Sequence, residues 1–191
     1  GGHNLLMIGP PGSGKSMLAQ RLPSILPDLT RQEILENNMI YSISGLLDEK
    51  GLSNKIPFRN IHNSCSMAAM IGGGNKVKAG EITLAHNGIL FLDELPEFSS
   101  QVLDSLRAPI ETGKITISRA NYHVTYPANF QLIAAMNPCK CGFFFDEKKK
   151  CNKAPICGAN YMAKISGPIL DRIDIVVHVD AVDIFDDDLF V

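Results

Sequence analysis

The eight residues GPPGSGKS, Gly9 to Ser16, restrict what this chain can fold into more than any other stretch. They fit the pattern G-x-x-x-x-G-K-[ST] in full, with the apolar run NLLMI (4–8) before them and GKSMLAQRLPSIL (14–26) running through their end. A short apolar run ending at glycine reads as a buried strand. The segment 14–26 reads as a helix disturbed at Pro23. Strand, glycine loop and helix in that order form a phosphate cradle, because glycines let the backbone curl with its N–H groups inward and the helix adds its positive end. The loop Gly9, Pro10, Pro11, Gly12, Ser13, Gly14 is therefore expected to hold a nucleotide. Lys15 would reach the β- and γ-phosphates of ATP, and Ser16 would hold Mg²⁺.

A second feature needs the first to explain it. In ILFLDELPEF (89–98) four apolar residues run straight into Asp93 and Glu94. A carboxylate beside an apolar run is costly unless it is paired or holds a metal. In a parallel α/β sheet the carboxyl ends of strands line the ligand crevice. A strand ending in Asp93 then faces the loop carrying Ser16, and Asp93 would support Mg²⁺ through water. Glu94 would orient and deprotonate an attacking water. Glu97 lies next to a helix start and is better suited to a helix-dipole role. Asn137 closes a further apolar run, FQLIAAMN (130–137). Its amide would touch the γ-phosphate or the water, or it is a turn former before Pro138.

The rest of the chain completes an α/β pattern. Thr30 and Glu33 match a capping box opening a helix on which Ile34, Leu35, Met39, Ile40 and Ile43 recur at helical spacing. Residues 45–63 carry loop signals. SCSMAAMI (64–71) reads as a short helix stopped by glycines, and SSQVLDSLRAPIETG (99–113) as one helix ending at Gly113. ITIS (115–118) and HVTY (123–126) read as a hairpin, and IDIVVHV (173–179) as a fourth buried strand. Apolar strands separated by helices predict a mainly parallel sheet with helices on both faces.

Bulk properties exclude several classes. The chain has 191 residues, 45% of them hydrophobic, and a formal net charge of −2. That suits one domain with a full core. No run approaches the ~20 apolar residues of a membrane span, and no signal peptide opens the chain, so a soluble, cytoplasmic setting is expected. A first strand beginning almost at the first residue reads as a domain taken from a longer protein. The lysine run 148–150 and the acidic 186–188 read as solvated surface.

GPPGSGKS, GEITLAHNGILFLDELPEF, AAMNPCKCG and ISGPILDRIDI together resemble the AAA+ ATPases of the magnesium-chelatase-like family, in particular its ComM-type bacterial branch linked to competence and DNA branch migration. The resemblance covers nearly the whole chain. It implies a P-loop NTPase (AAA+) core with a helix-2 insert near 58–84 and a pre-sensor 1 hairpin at 114–126. It implies that residues 1–191 are the large subdomain alone, without a Lon-protease-like domain on the N-terminal side or a C-terminal helical lid. Asn137 would be the sensor 1 residue. Arg172 would be an arginine finger reaching the ATP of a neighbouring subunit in a homo-oligomeric ring, a hexamer by family habit. Such fingers contribute ~10³–10⁵ in rate. The alternative for Arg172 is a surface pair with Asp171 or Asp174.

In rings of this clade both the insert and the hairpin can face the central pore. Lys76, Lys78, Lys114, Arg119 and His123 would then form a repeated, sequence-independent DNA surface; singly, each reads as ordinary exposed charge. Cys139, Cys141, Cys151 and Cys157 cluster as a closed tetrahedral zinc site would require, but their spacing is not a regular pair of C-x-x-C motifs, and free thiols are the open alternative. Cys65 reads as a core thiol. Two other functions stay open: a magnesium-chelatase motor subunit acting on a protein partner, and a nucleotide-gated assembly module with little turnover.

Overall fold

The computed structural model describes residues 2–47, 52–73, 78–119, 122–142, 144, 151 and 154–180, with the side chains of Arg119 and Tyr122 excepted. Lys76, the lysine run 148–150 and the acidic 186–188 lie outside the described residues, as does the Arg119 side chain.

Five strands form the central sheet: β1 (Leu5–Ile8), β2 (Phe58–Ile61), β5 (Ile89–Leu92), β8 (Gln131–Met136) and β9 (Ile175–His178), in the spatial order β2-β5-β8-β1-β9. Every pairing in it is parallel, with Leu6 opposite Ala134 and Val176, and Leu90 opposite Arg59 and Leu132. A parallel sheet is covered on both faces, so its inner strands carry continuous apolar runs. That is why ILFL has no polar position: all four residues are fully buried. Leu90 and Leu92 face one core cluster with Leu6, Leu132 and Ala134, while Ile89 and Phe91 face the other with Met7, Ile133 and Ala135. Phe91 also stacks on Phe58 with ring centroids 6.0 Å apart. Burying each of these large side chains stabilises the fold by about 1.5–3 kcal/mol.

Helices fill the connections. α1 (Lys15–Arg21) follows the glycine loop and passes into a 3-10 turn at Leu22–Ile25, where Pro23 breaks the α pattern. α2 (Arg31–Ile43) opens with the expected capping box: Thr30 Oγ1 accepts from Glu33 N, and Thr30 N donates to Glu33 Oε2 at 2.7 Å. Only part of its apolar stripe is core, however: Ile40 is buried and Ile34 half-buried. Leu35, Met39 and Ile43 are 51%, 68% and 68% exposed, while Asn37, Asn38 and Ile40 are buried. Asn38 turns inward because it exchanges hydrogen bonds with the backbone of Ser53, pinning the following loop.

Two short ribbons stand outside the sheet. β3 (Gly72–Gly73) pairs with β4 (Lys78–Ala79) after α3 (Met67–Ile71), and α4 (Glu81–Leu84) leads from there to β5. β6 (Lys114–Arg119) and β7 (Tyr122–Pro127) form the expected hairpin. Between β5 and the hairpin the single helix expected over 99–113 is two, α5 (Ser100–Ser105) and α6 (Arg107–Thr112). Pro109 is the cause: it has no N–H for the Ser105 carbonyl, and its ring crowds that oxygen. α7 (Ile156–Met162) and α8 (Gly167–Leu170) connect β8 to β9. β9 corrects another expectation: it is an edge strand, and Ile175, Val176 and Val177 are 43%, 52% and 40% exposed. Among the described residues, no helix is long and apolar enough to cross a membrane.

Candidate active site

Because the strands are parallel, their carboxyl ends share one edge of the sheet. β1 delivers Gly9, β5 delivers Asp93, β8 delivers Asn137 and β2 delivers Asn63. The glycine loop is forced at its first residue, where a Cβ on Gly9 would overlap the Val179 carbonyl oxygen. Gly12 and Gly14 have φ of 80° and 81°, a region an L side chain rarely enters. Gly9 N donates to the Met136 carbonyl at 3.2 Å, which ties the loop to the strand carrying Asn137.

Lys15 is buried and folds back over its own loop. Its Nζ donates to the carbonyls of Gly9 (2.9 Å) and Pro10 (2.8 Å) and reaches Ser13 Oγ at 3.3 Å and Asn137 Oδ1 at 3.2 Å. Burial lowers its pKa, and the charge of Asp93 opposes that shift. Ser16 Oγ donates to Asp93 Oδ2 at 2.6 Å. The two residues expected to share a magnesium ion, 77 positions apart in the chain, are thus in direct contact. A hydroxyl and a carboxylate at a phosphate loop are hard oxygen donors, the set that suits Mg²⁺ completed by phosphate and water.

Glu94 sits in a left-handed conformation, φ 56° and ψ 49°, uncommon for a side-chain-bearing residue. Two contacts hold it there. Its N–H donates to Asp93 Oδ1 at 3.0 Å, and its carboxylate accepts from Asn63 Nδ2 at 3.0 Å. Asn63 is a residue that sequence reasoning misses. FRNI contains Arg59 and Asn60, so its strand reads as loop; Arg59 is tolerated there because Glu81 takes its guanidinium through two hydrogen bonds of 2.6 and 2.9 Å. Glu97 ends the turn after Glu94 and pairs with Lys164 at 3.3 Å. Burial, then the charge of Glu97, pushes the Tyr161 hydroxyl well up, so it stays protonated and available to Glu97.

Arg172 is far from this edge. It precedes β9, and its carbonyl accepts from Asn4 Nδ2 at 2.8 Å, so it lies at the amino end of β1. The glycine loop is at the other end, a four-residue strand or roughly 13 Å away. Its guanidinium pairs with Glu111 and not with Asp171 or Asp174. Asp174 instead accepts from Asn4 N at 2.7 Å.

The remaining candidates are less gathered. Lys78 lies on the β3–β4 ribbon, and Lys114 and His123 on the hairpin, all exposed; His123 Nδ1 is 2.9 Å from Ser118 Oγ. Cys139 Sγ and Cys141 Sγ are 3.0 Å apart. Burial, with Cys151 and Cys139 as neighbours, pushes the Cys157 thiol up to about 11. Among the described residues, no group of three or more His, Cys, Asp or Glu side chains is arranged to hold a metal ion, so the zinc reading gains no support. The cysteine loop does pack against the phosphate loop: Gly142, at φ 86°, lies so close to Pro11 that a Cβ would overlap its ring.

This geometry agrees with what the chain is similar to. The family model for magnesium chelatase, subunit ChlI, matches residues 1–186. YifB of Escherichia coli is 49% identical over 179 residues, 94% of this chain and 35% of that protein. Competence protein ComM of Haemophilus influenzae is 48% identical over 181 residues, again 94% and 35%. The chain therefore spans about a third of the length of these relatives. A solved structure of NtrX from Brucella abortus in complex with ADP superposes with a TM-score of 0.58 at 14% identity, covering 95% of this chain and 33% of that one. Its order of strands, its glycine loop and its near half-identity to these relatives together make the chain a member of the magnesium chelatase ChlI family, built on the AAA+ form of the P-loop NTPase fold.

Proposed function

We propose that this chain is the ATP-hydrolysing core of a ring-forming motor that acts on DNA. The observation that carries the hydrolytic part is the 2.6 Å contact between Ser16 and Asp93, with Lys15, Asn137 and Glu94 on the same sheet edge. Mg²⁺ bound there supplies charge neutralisation for the β- and γ-phosphates; Ser16 and Asp93 would hold it. In this reading the backbone N–H groups of Gly9 to Gly14 cradle the phosphates. Lys15 exchanges its loop carbonyls for phosphate oxygens. Glu94, kept extended toward Asn63, accepts the proton of the attacking water, and Asn137 orients that water or the γ-phosphate.

Arg172 supports the ring. From the opposite end of the sheet it cannot serve its own phosphates, so as a finger it acts only on a neighbour's. The DNA part rests on the likeness to a competence protein and on basic residues carried by the two ribbons, Lys78, Lys114 and His123, with Lys76 and Arg119 close to them in the sequence. The rest of such a protein would supply the lid and a Lon-like domain, and the working compartment would be the cytoplasm. Zinc has no part in this reading.

The test uses the full-length protein. ATP turnover that rises with added DNA, falls steeply with salt and is lost in Glu94→Gln with nucleotide binding kept supports the proposal. Turnover indifferent to DNA moves the reading to a motor on a protein partner. Binding without turnover in the assembled wild type defeats the motor reading altogether.

A further inference from the structure

Arg172 is held in an unusual way for a side chain near the surface. It is 22% exposed. One terminal nitrogen donates to the Pro168 carbonyl at 2.5 Å, and the other pairs with the Glu111 carboxylate. The Nε is buried and has no partner among the described residues. Removing Glu111 would therefore leave a largely buried guanidinium without its counter-charge while one donor is already unsatisfied, and the pose would not persist.

Glu111 comes from a telling place. It lies on α6, three residues before Lys114 starts β6. The helix ends at Gly113, whose φ of 64° makes the turn and whose carbonyl accepts from Ala128 N at 2.7 Å, closing the base of the hairpin. The two residues are 61 positions apart in the chain (172 − 111), so sequence pairing rules do not find them.

We propose that Glu111 is a positioning residue for Arg172: its carboxylate fixes the guanidinium that one subunit presents to its neighbour, and it joins the finger to the base of the β6–β7 hairpin. This rests on the reading of Arg172 as a finger acting between subunits. A long arginine contributes to a transition state only if its fork is already oriented, and a misplacement of about 1 Å can cost on the order of 10²-fold.

The test compares E111A, E111Q, E111D, R172A and the double variant E111A/R172A in the full-length assembled protein, reading kcat, KM for ATP and ring population. We expect E111A to lower kcat by about 10- to 100-fold with KM and assembly unchanged. E111Q, which keeps the shape, should fall between E111A and wild type, and E111D should restore part of the loss. The double variant should be no slower than R172A, because both changes remove the same interaction. Wild-type kcat in E111A and E111Q beside an inactive R172A overturns the positioning role and leaves the finger standing. Faster turnover in E111A, or losses that multiply in the double variant, also overturns it. An R172A protein with wild-type turnover overturns the finger and this role together.

Discussion

The two ends of the parallel sheet are built on different terms. At the carboxyl end, polar side chains from four strands satisfy one another within the chain: Lys15 on its own loop and Asn137, Ser16 on Asp93, Glu94 on Asn63. At the amino end Arg172 is held against α6 and α8, with one buried donor unsatisfied among the described residues, on the side of the sheet away from the glycine loop. In the proposed reading the first end is a site with most of its parts, and the second offers one part to the site of a neighbouring subunit. Under the proposed reading, turnover requires the second end of one copy to meet the first end of another.

The most severe challenge to that contrast is to damage each end separately. Arg172→Ala should lower turnover in the assembled protein by about 10³–10⁵-fold while leaving nucleotide affinity almost unchanged. Glu94→Gln should lower kcat by about 10²–10⁴-fold, again with binding kept. Mixing the two inactive proteins should restore part of the activity, since each supplies the end the other lacks. No recovery on mixing, with assembly intact, would mean that both residues must come from one and the same subunit.

A finer probe is Asn63→Ala. With its amide gone, Glu94 loses its carboxylate partner, and the left-handed backbone at 94 keeps one constraint, the bond to Asp93. We expect kcat to change by about tenfold, with unfolding moved by no more than about 1 kcal/mol. A protein with unaltered kinetics would remove Asn63 from the site.

The smallest effect belongs to the amino end. His86 is buried, its Nδ1 accepts from Asn129 N at 3.1 Å, and its Nε2 lies 3.3 Å from Glu36. Burial lowers its pKa below the ordinary 6.5 despite Glu36. The unfolded chain therefore binds the proton first, and this contribution to stability is complete above about pH 6.5 and lost as pH falls below it. Chemical denaturation from pH 7.5 down to 5 should show that slope, and His86→Gln should flatten it.

What is legible in the sequence follows from range. The glycine loop, the capping box of α2 and the hairpin depend on residues within a few positions of one another, and each lies where the pattern puts it. The meeting of Ser16 with Asp93 is legible too, because a parallel sheet leaves strand ends no choice of side. β2 escapes because Arg59 and Asn60 spoil its apolar signal, and Asn63 escapes with it. The single helix expected over 99–113 fails at Pro109, a local signal outweighed by the flanking apolar spacing.

By itself the amino-acid order determined the chemistry of the phosphate loop and the acidic strand end, since backbone curl, helix dipole and strand polarity are set by contiguous residues. Tertiary structure decided what depends on partners far along the chain. It turned Asn38 inward and Leu35, Met39 and Ile43 outward, made β9 an exposed edge, and gave Arg172 to Glu111 in place of its neighbouring aspartates. Those outcomes depend on which surfaces the sheet leaves open once its strands are ordered, and pairing across 61 positions leaves no periodic mark in the sequence.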